Sequence, residues 1–296
     1  MTLKATPIDG RTHVSGVVLV SVSVLFFSFA GIFTRGVEAG AWEIIFWRGV
    51  AAAGFTILYV IFRGKLMEEI RGFGRPEMLV TLLHAAGTAA FIPALKLSSV
   101  ANVTLIYAAS PFLAAGLAWW IISEAPPRRT VIASAVAFTG VFITVSGSFQ
   151  TGGLTGSLAG DMLALWMTLM MASVMVLYRT RPATKVMLPA ALSSVVLLPF
   201  GLMFGDVAAT QPGELPVLML FGASFAVAAA TLSEGARRLP AAETALLSML
   251  ETPLAPILAW LILLEAPTIQ ALAGGALILG AAIWSQASGQ PGSKRR

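Results

Sequence analysis

One segment of this chain occurs twice, and the copies differ in a way that a lipid bilayer explains. Leu97–Pro126 reads LSSVANVTLIYAASPFLAAGLAWWIISEAP, and Leu239–Pro267 reads LPAAETALLSMLETPLAPILAWLILLEAP. Leu97 matches Leu239 and Pro111 matches Pro253. After one gap, Glu124-Ala125-Pro126 matches Glu265-Ala266-Pro267. The first copy runs on into Arg128-Arg129, whereas the second continues Thr268-Ile269-Gln270 without a cation. Cations accumulate in loops on the cytoplasmic side, so a copy that has lost them fits a loop on the other side. The duplicated unit therefore has two opposite orientations.

Composition agrees with a bilayer partner. The chain of 296 residues is 57% hydrophobic and only 11% charged, against roughly 25% charged in soluble domains. Without cysteine it has neither disulfides nor thiolate metal ligands, and His13 and His84 are its only histidines, so neither a metal nor another cofactor is expected. The net charge of +5 is spread over short loops, which reads as topology and not as nucleic-acid binding. The apolar stretch from Val14 runs on to Phe33, longer than the hydrophobic region of a cleaved leader, so the first helix is expected to stay.

A spanning helix needs about 20 mostly apolar residues. Ten such stretches are expected, near 14–34, 41–62, 76–95, 99–122, 130–147, 157–178, 185–205, 213–234, 240–264 and 268–287. With the N-terminus inside, all nineteen cations except Arg35, Lys96 and Arg48 fall in cytoplasmic segments. That asymmetry fits both the count and a placement of both termini in the cytoplasm. Five helices per half is an odd number, so a repeated half must be inverted. The expected units are 14–147, 157–287 and a disordered cytoplasmic tail, 288–296. Gly16-Val17-Val18-Leu19 also aligns with Gly160-Asp161-Met162-Leu163. The fold class is an all-α integral membrane protein of ten transmembrane helices in two inverted five-helix repeats. Such architecture is frequent among secondary transporters.

An ionisable group inside a spanning helix costs about 2.5–3.5 kcal/mol on insertion scales, so such groups are the first functional candidates. They are Glu43 and Arg48 in the second span, His84 in the third, and Glu243 and Glu251 in the ninth. Asp161 and Glu234 lie near helix ends, where reaching water is easy, and carry less weight. Arg48 and Glu251 fall near mid-membrane. They read as substrate or coupling charges, or as a structural pair with each other or with backbone carbonyls; the structural reading is the better supported. Glu251 aligns with Ala109, so the charge is not shared by the two copies. Glu43 reads as a rim residue.

His84 could exchange protons near physiological pH or simply pack. Its mid-depth position favours a cavity, and Thr81 and Thr88 share its helix face. Asn102, Tyr107 and Trp166 lie well inside their helices, away from the aromatic belts. Their polar atoms need partners that a watery cavity would supply, with core packing as the alternative. Trp42, Trp119, Trp120, Trp260 and Trp284 read as interfacial or lipid-facing. Pro93, Pro111, Pro199, Pro253 and Pro256 are expected to interrupt helices, with Pro111 and Pro253 as paired hinges. No phosphate-loop or zinc-helix string occurs. Gly222-Ala223-Ser224-Phe225 fits a short Gly-x-Ser-x string, weak ground for an intramembrane protease.

The pattern Leu97…Pro111…Glu124 with Leu239…Glu251-Thr252-Pro253…Trp260…Glu265, and Phe46-Trp47-Arg48 in the second span, resembles the drug/metabolite transporter superfamily in its ten-helix EamA-type form. The resemblance covers nearly the whole chain and is strongest to bacterial amino-acid exporters of the YddG type. It implies a carrier in the bacterial inner membrane that exports aromatic and other neutral amino acids by alternating access through a central cavity. Carried over, that cavity would be lined by His84, Tyr107 and Trp166, with Asn102 and Thr88 adding polar contacts. Protons are a candidate coupling ion. A monomer is expected, with a dimer as the alternative. A multidrug or other metabolite carrier of the same fold, an intramembrane enzyme and a channel are the competing readings.

Overall fold

The computed structural model describes residues 10–123, 125–151 and 157–287. Glu124 and the expected tail, 288–296, lie outside the described residues. The first span consists of α1 (Gly10–Ser28) and α2 (Ala30–Arg35), and the second is α3 (Ala41–Phe62). A short surface helix, α4 (Leu66–Arg71), precedes the third span, α5 (Arg75–Leu97). The fourth is α6 (Val100–Tyr107) plus α7 (Ser110–Ile122), the fifth α8 (Arg128–Thr151) and the sixth α9 (Ser157–Thr180). Then follow α10 (Met187–Phe204), α11 (Leu215–Ala236), α12 (Ala241–Ser248) with α13 (Glu251–Leu263), and α14 (Ile269–Ala287). Among the described residues nine stretches are long and apolar enough to cross a bilayer, and Ile269–Ser285 supplies a shorter tenth. A helix is the natural form here, because the bilayer core offers a lone strand no partner for its backbone N–H and C=O groups.

The packing repeats when the two halves are exchanged. The first span packs on the eighth, as the sixth packs on the third; the second packs on the eighth, as the seventh packs on the third. The second and seventh spans pair with each other, as do the fifth and tenth. Glycines mark the same exchange. A Cβ on Gly16 would meet Leu239 Cγ at 2.8 Å, and one on Gly160 would meet the Ser98 backbone nitrogen at 2.6 Å. In each half the opening span thus presses a bare backbone onto a turn of the other half.

Backbone geometry also sets the register of the doubled segment, and it corrects the sequence alignment by one residue. Helix α7 ends at Ser123 in the left-handed conformation (φ 53°), and α13 ends at Leu264 in the same conformation (φ 57°). The breaks agree. Ala108 and Ala109 donate to Thr104 and Ile106, while Met249 and Leu250 donate to Ala245 and Leu247. All of these place the copies 141 residues apart, not the 142 that pairs Pro111 with Pro253. Pro111 is therefore the second residue of its helix and Pro253 the third, and Glu251 is equivalent to Ser110 and not to Ala109. Pro93, Pro199 and Pro256, expected to interrupt helices, lie inside α5, α10 and α13, which continue through them. The first span instead breaks at Phe29, without a proline.

Four apolar clusters follow from this packing among the described residues, and two of them flank the candidate site. One joins Ala94 and Leu95 to Val103, Leu105 and Ile106, Val141, Ala164, Ala255 and Ile278. The other joins Ile44 and Ile45 to Ala85, Ile92, Leu197, Leu218 and Phe221.

Candidate functional site

Two kinds of polar residue lie inside the bundle, and their surroundings separate them. The first kind is paired within the protein, apart from the Asn102 amide oxygen. Asp161, expected near a helix end within reach of water, is wholly buried (0% exposed). One carboxyl oxygen accepts from Ser98 Oγ, the other from Ser148 Oγ, and Asn102 Nδ2 lies 3.3 Å from both. Asn102 Nδ2 also donates to Ser148 at 3.0 Å, and Ser157 donates to Ser148 at 2.9 Å. This knot joins the turn before α6 to the facing parts of α8 and α9. Its position corrects two readings. Asp161 is not a snorkelling residue, and the amide hydrogens of Asn102 serve the knot and not an open cavity.

The second kind is unpaired. Arg48 on α3 is 4% exposed, yet no carboxylate or carbonyl among the described residues holds it, and its Nε is buried without an acceptor. The guanidinium instead lies 4.8 Å from the ring centre of Phe221 and 4.7 Å from that of Phe225. These two residues sit one turn apart on α11. Phe33 stacks on Phe221 at 5.2 Å, and Phe27 meets Phe225 edge-on at 5.8 Å. The first span thus walls the cation from behind, so the expected structural ion pair between Arg48 and Glu251 is absent. Span-to-span packing is tight here: a Cβ on Gly222 would meet Ala51 Cβ at 2.5 Å.

His84 on α5 also has a buried ring nitrogen, Nδ1, without a partner. Its neighbour Ala85 belongs to the core that contains Phe221. Thr88, one turn on, is half-buried. Tyr107 ends α6 at the break of the fourth span, and Glu251 opens α13 at the equivalent break of the ninth. Helices α6 and α13 pack against each other, which makes these two breaks neighbours. Neither side chain has a hydrogen-bond partner among the described residues. Pro111 cannot donate to the Tyr107 carbonyl, which leaves backbone polarity at the same break. Trp166 is 49% exposed on α9, with no partner for its indole N–H among the described residues. Ser224, the serine of the short Gly-x-Ser-x string, is buried and donates to the Phe221 carbonyl, so it makes no pair with His84.

Polar ties close both ends of the bundle. At one end Glu265 accepts from the Val100 N–H at 2.8 Å and pairs with Arg35 at 3.3 Å, while Lys96 donates to the Val37 carbonyl. A recess of about 280 Å³ opens there, lined by Glu38, Glu43, Asp206, Gln211 and Glu214; Glu43 caps it by accepting from the Asp206 N–H. At the basic end Glu234 gathers Arg63, Arg237, Arg238 and Tyr59, Glu68 pairs with Lys185, and His13 pairs with Glu243 at 2.9 Å. The hydrogen bond from Lys185 holds the Glu68 carboxyl below its usual range, and the same bond holds the Lys185 ammonium above its own. Phe221 and Phe225 escaped the sequence reading. Their signal was an i, i+4 aromatic pair in a span of a chain with one unexplained intramembrane arginine.

Two interlocked five-helix units with unpaired polar groups at their helix breaks define a polytopic membrane transporter. The EamA-like transporter family matches residues 14–146 and 158–285, and the chain belongs to that family. A riboflavin transporter of Brucella anthropi is 27% identical over 251 residues, covering 81% of this chain and 86% of that one. A solved crystal structure superimposes with a TM-score of 0.67 over 94% of this chain and 99% of its own, at 16% identity, which speaks for the fold alone.

Proposed function

We propose that this membrane metabolite transporter is a secondary carrier that exports small neutral metabolites, foremost aromatic and other neutral amino acids. It works by alternating access in the bacterial inner membrane, with both termini cytoplasmic and the monomer as the working unit. One observation carries this reading. An unpaired cation, Arg48, and an unpaired carboxyl, Glu251 beside Tyr107, lie inside the same bundle without a protein partner. Among the described residues no side chain or carbonyl hydrogen-bonds either group, and one positive with one negative site suits a solute of no net charge that bears both signs. His84 and Thr88 offer further hydrogen bonds, and Trp166 offers an apolar surface. The breaks at Tyr107–Ser110 and Ser248–Glu251 are the natural flexing points, since a broken helix has already given up the backbone bonds that would resist bending. Glu251 and His84 are the candidate proton carriers.

The relative's name favours one second reading, a flavin or another uncharged ring system. The test is counterflow in liposomes holding the purified protein, with labelled phenylalanine, leucine, alanine and riboflavin offered separately, with and without a pH gradient. Saturable amino-acid exchange that alanine at His84 or Trp166 depresses is the expected result. Exchange of riboflavin alone transfers the assignment to the second reading. Amino-acid exchange that both alanine variants leave untouched removes those two residues from the site.

A further inference from the structure

We infer that Arg48, clamped between Phe221 and Phe225, is the site that receives the carboxylate of the transported solute. The inference rests on the amino-acid reading above, which it makes specific.

A guanidinium has five N–H donors in a planar fork and no acceptor. Inside a bundle those donors are normally matched by a carboxylate or by carbonyls, because an uncompensated buried charge is strongly unfavourable. Here neither is present among the described residues, and Nε is buried with nothing to donate to. The two rings do not replace an acceptor. They stabilise the cation through their faces and leave its in-plane N–H edges unused. They also confine the fork, since ring centroids on consecutive turns of α11 lie 4.8 and 4.7 Å from its central carbon. Phe33 and Phe27 in turn fix the rings. A planar, confined fork whose N–H groups have no acceptor among the described residues is suited to a planar anion with two oxygens side by side. Inorganic phosphate or a metal-bound anion would bring more charge than a site with one cation and four phenyl groups balances. The same phenylalanines present hydrocarbon to whatever is attached to the carboxylate, which suits an amino acid with an apolar or aromatic side chain.

Position adds a second argument. Arg48 joins the second span to the eighth, and Phe27 and Phe33 bring in the first. An anion on Arg48 would therefore touch helices of both repeats, and its charge would be felt across the contact that must shift if the halves rock. Asp161 shows the contrast, because its donors are all supplied by the protein and leave no room for a ligand.

The experiment uses the full-length protein in detergent and in liposomes, with four phenyl-bearing probes that differ in whether they carry a carboxylate and an ammonium: L-phenylalanine, L-phenylalaninamide, phenethylamine and 3-phenylpropionate. Thermal stabilisation and inhibition of labelled phenylalanine counterflow are read for each. The wild type is expected to prefer the two carboxylates over the amide and the amine by about 10- to 100-fold, the range of a charge-assisted hydrogen-bonded pair. R48Q should level that preference while F225L, which keeps the cation, should only weaken it. A wild type that ranks the amide with the acid overturns the inference without reference to any variant, so a misfolded R48Q leaves the test intact. A folded R48Q that keeps the full carboxylate preference overturns it as well. Failure of the underlying reading looks different: 3-phenylpropionate would still bind in an Arg48-dependent way while phenylalanine would neither bind nor exchange.

Discussion

Asp161 and Arg48 are both charged residues shut inside a membrane bundle, yet the protein treats them in opposite ways. Asp161 has Ser98, Ser148 and Asn102 on its two oxygens. Arg48 has two aromatic faces and, among the described residues, no acceptor. A buried polar group with its full set of partners rigidifies what it joins. One that is left without partners, in a site otherwise well packed, calls for an explanation, and a bound ligand is one. Burial alone therefore does not separate these two residues, and satisfaction of the buried group does.

The comparison can be broken at several points. D161A should have the largest effect on stability, because it strands the donors of Ser98, Ser148 and Asn102. A loss of about 3 kcal/mol or more is expected from unsatisfied buried groups, read as a drop in the thermal unfolding temperature of the purified protein. An unchanged transition would mean that the knot is not a stabilising element. R48Q should show the reverse pattern. Counterflow should fall at least about tenfold, the effect of one charge-assisted bond, while stability moves by no more than about 1–2 kcal/mol, the size of the cation–ring contacts. Equal losses in both assays would erase the distinction between the two residues.

The repeat-related glycines sharpen the argument at smaller magnitude. G160A drives a methyl into the Ser98 backbone, at 2.6 Å, whereas G16A meets only side-chain atoms, of Leu239 at 2.8 Å and of Arg238 at 3.0 Å. Overpacking costs about 1–3 kcal/mol when the neighbour cannot yield. G160A should therefore destabilise the protein clearly more than G16A does, as comparison of their unfolding temperatures will show.

The smallest effect belongs to the solvent-facing pair Glu68–Lys185 at the basic end. Glu68 is depressed, so its contribution is present above its unfolded value and lost as pH falls through the depressed folded one. Lys185 is raised, so its contribution is present below the unfolded lysine value and lost as pH rises through the raised folded one. K185Q should thus alter stability only slightly on the plateau between these limits and not at all in strong acid. Unfolding followed across pH, at low and at high salt, will check this, and screening should remove the difference.

Much of the fold was legible before the structure. The span limits near 41–62 and 157–178 differ from α3 and α9 by two residues at most, because partition into lipid is decided residue by residue over a local window. The doubled segment was equally plain. Its register was not, since Pro111 and Pro253 were taken as fixed points, whereas the left-handed ends at Ser123 and Leu264 place the copies one residue closer. A proline tolerates several positions in a first helical turn, but a positive φ at a non-glycine residue does not drift. Among the site candidates, Tyr107 and Glu251 do lie at the helix breaks of the packed fourth and ninth spans, while Asn102 belongs to the knot around Asp161 and Trp166 is half exposed.

The sequence by itself determined that this chain lives in a bilayer, crosses it ten times and is built from two copies of one unit, and that Arg48, His84 and Glu251 are the charges inside that require a reason. Tertiary structure alone decided which of the buried polar groups are paired. Hydropathy is a property of each residue and its neighbours along the chain. Pairing depends on how distant helices rotate and approach, and a turn of one helix is enough to exchange a carboxylate for the face of a ring.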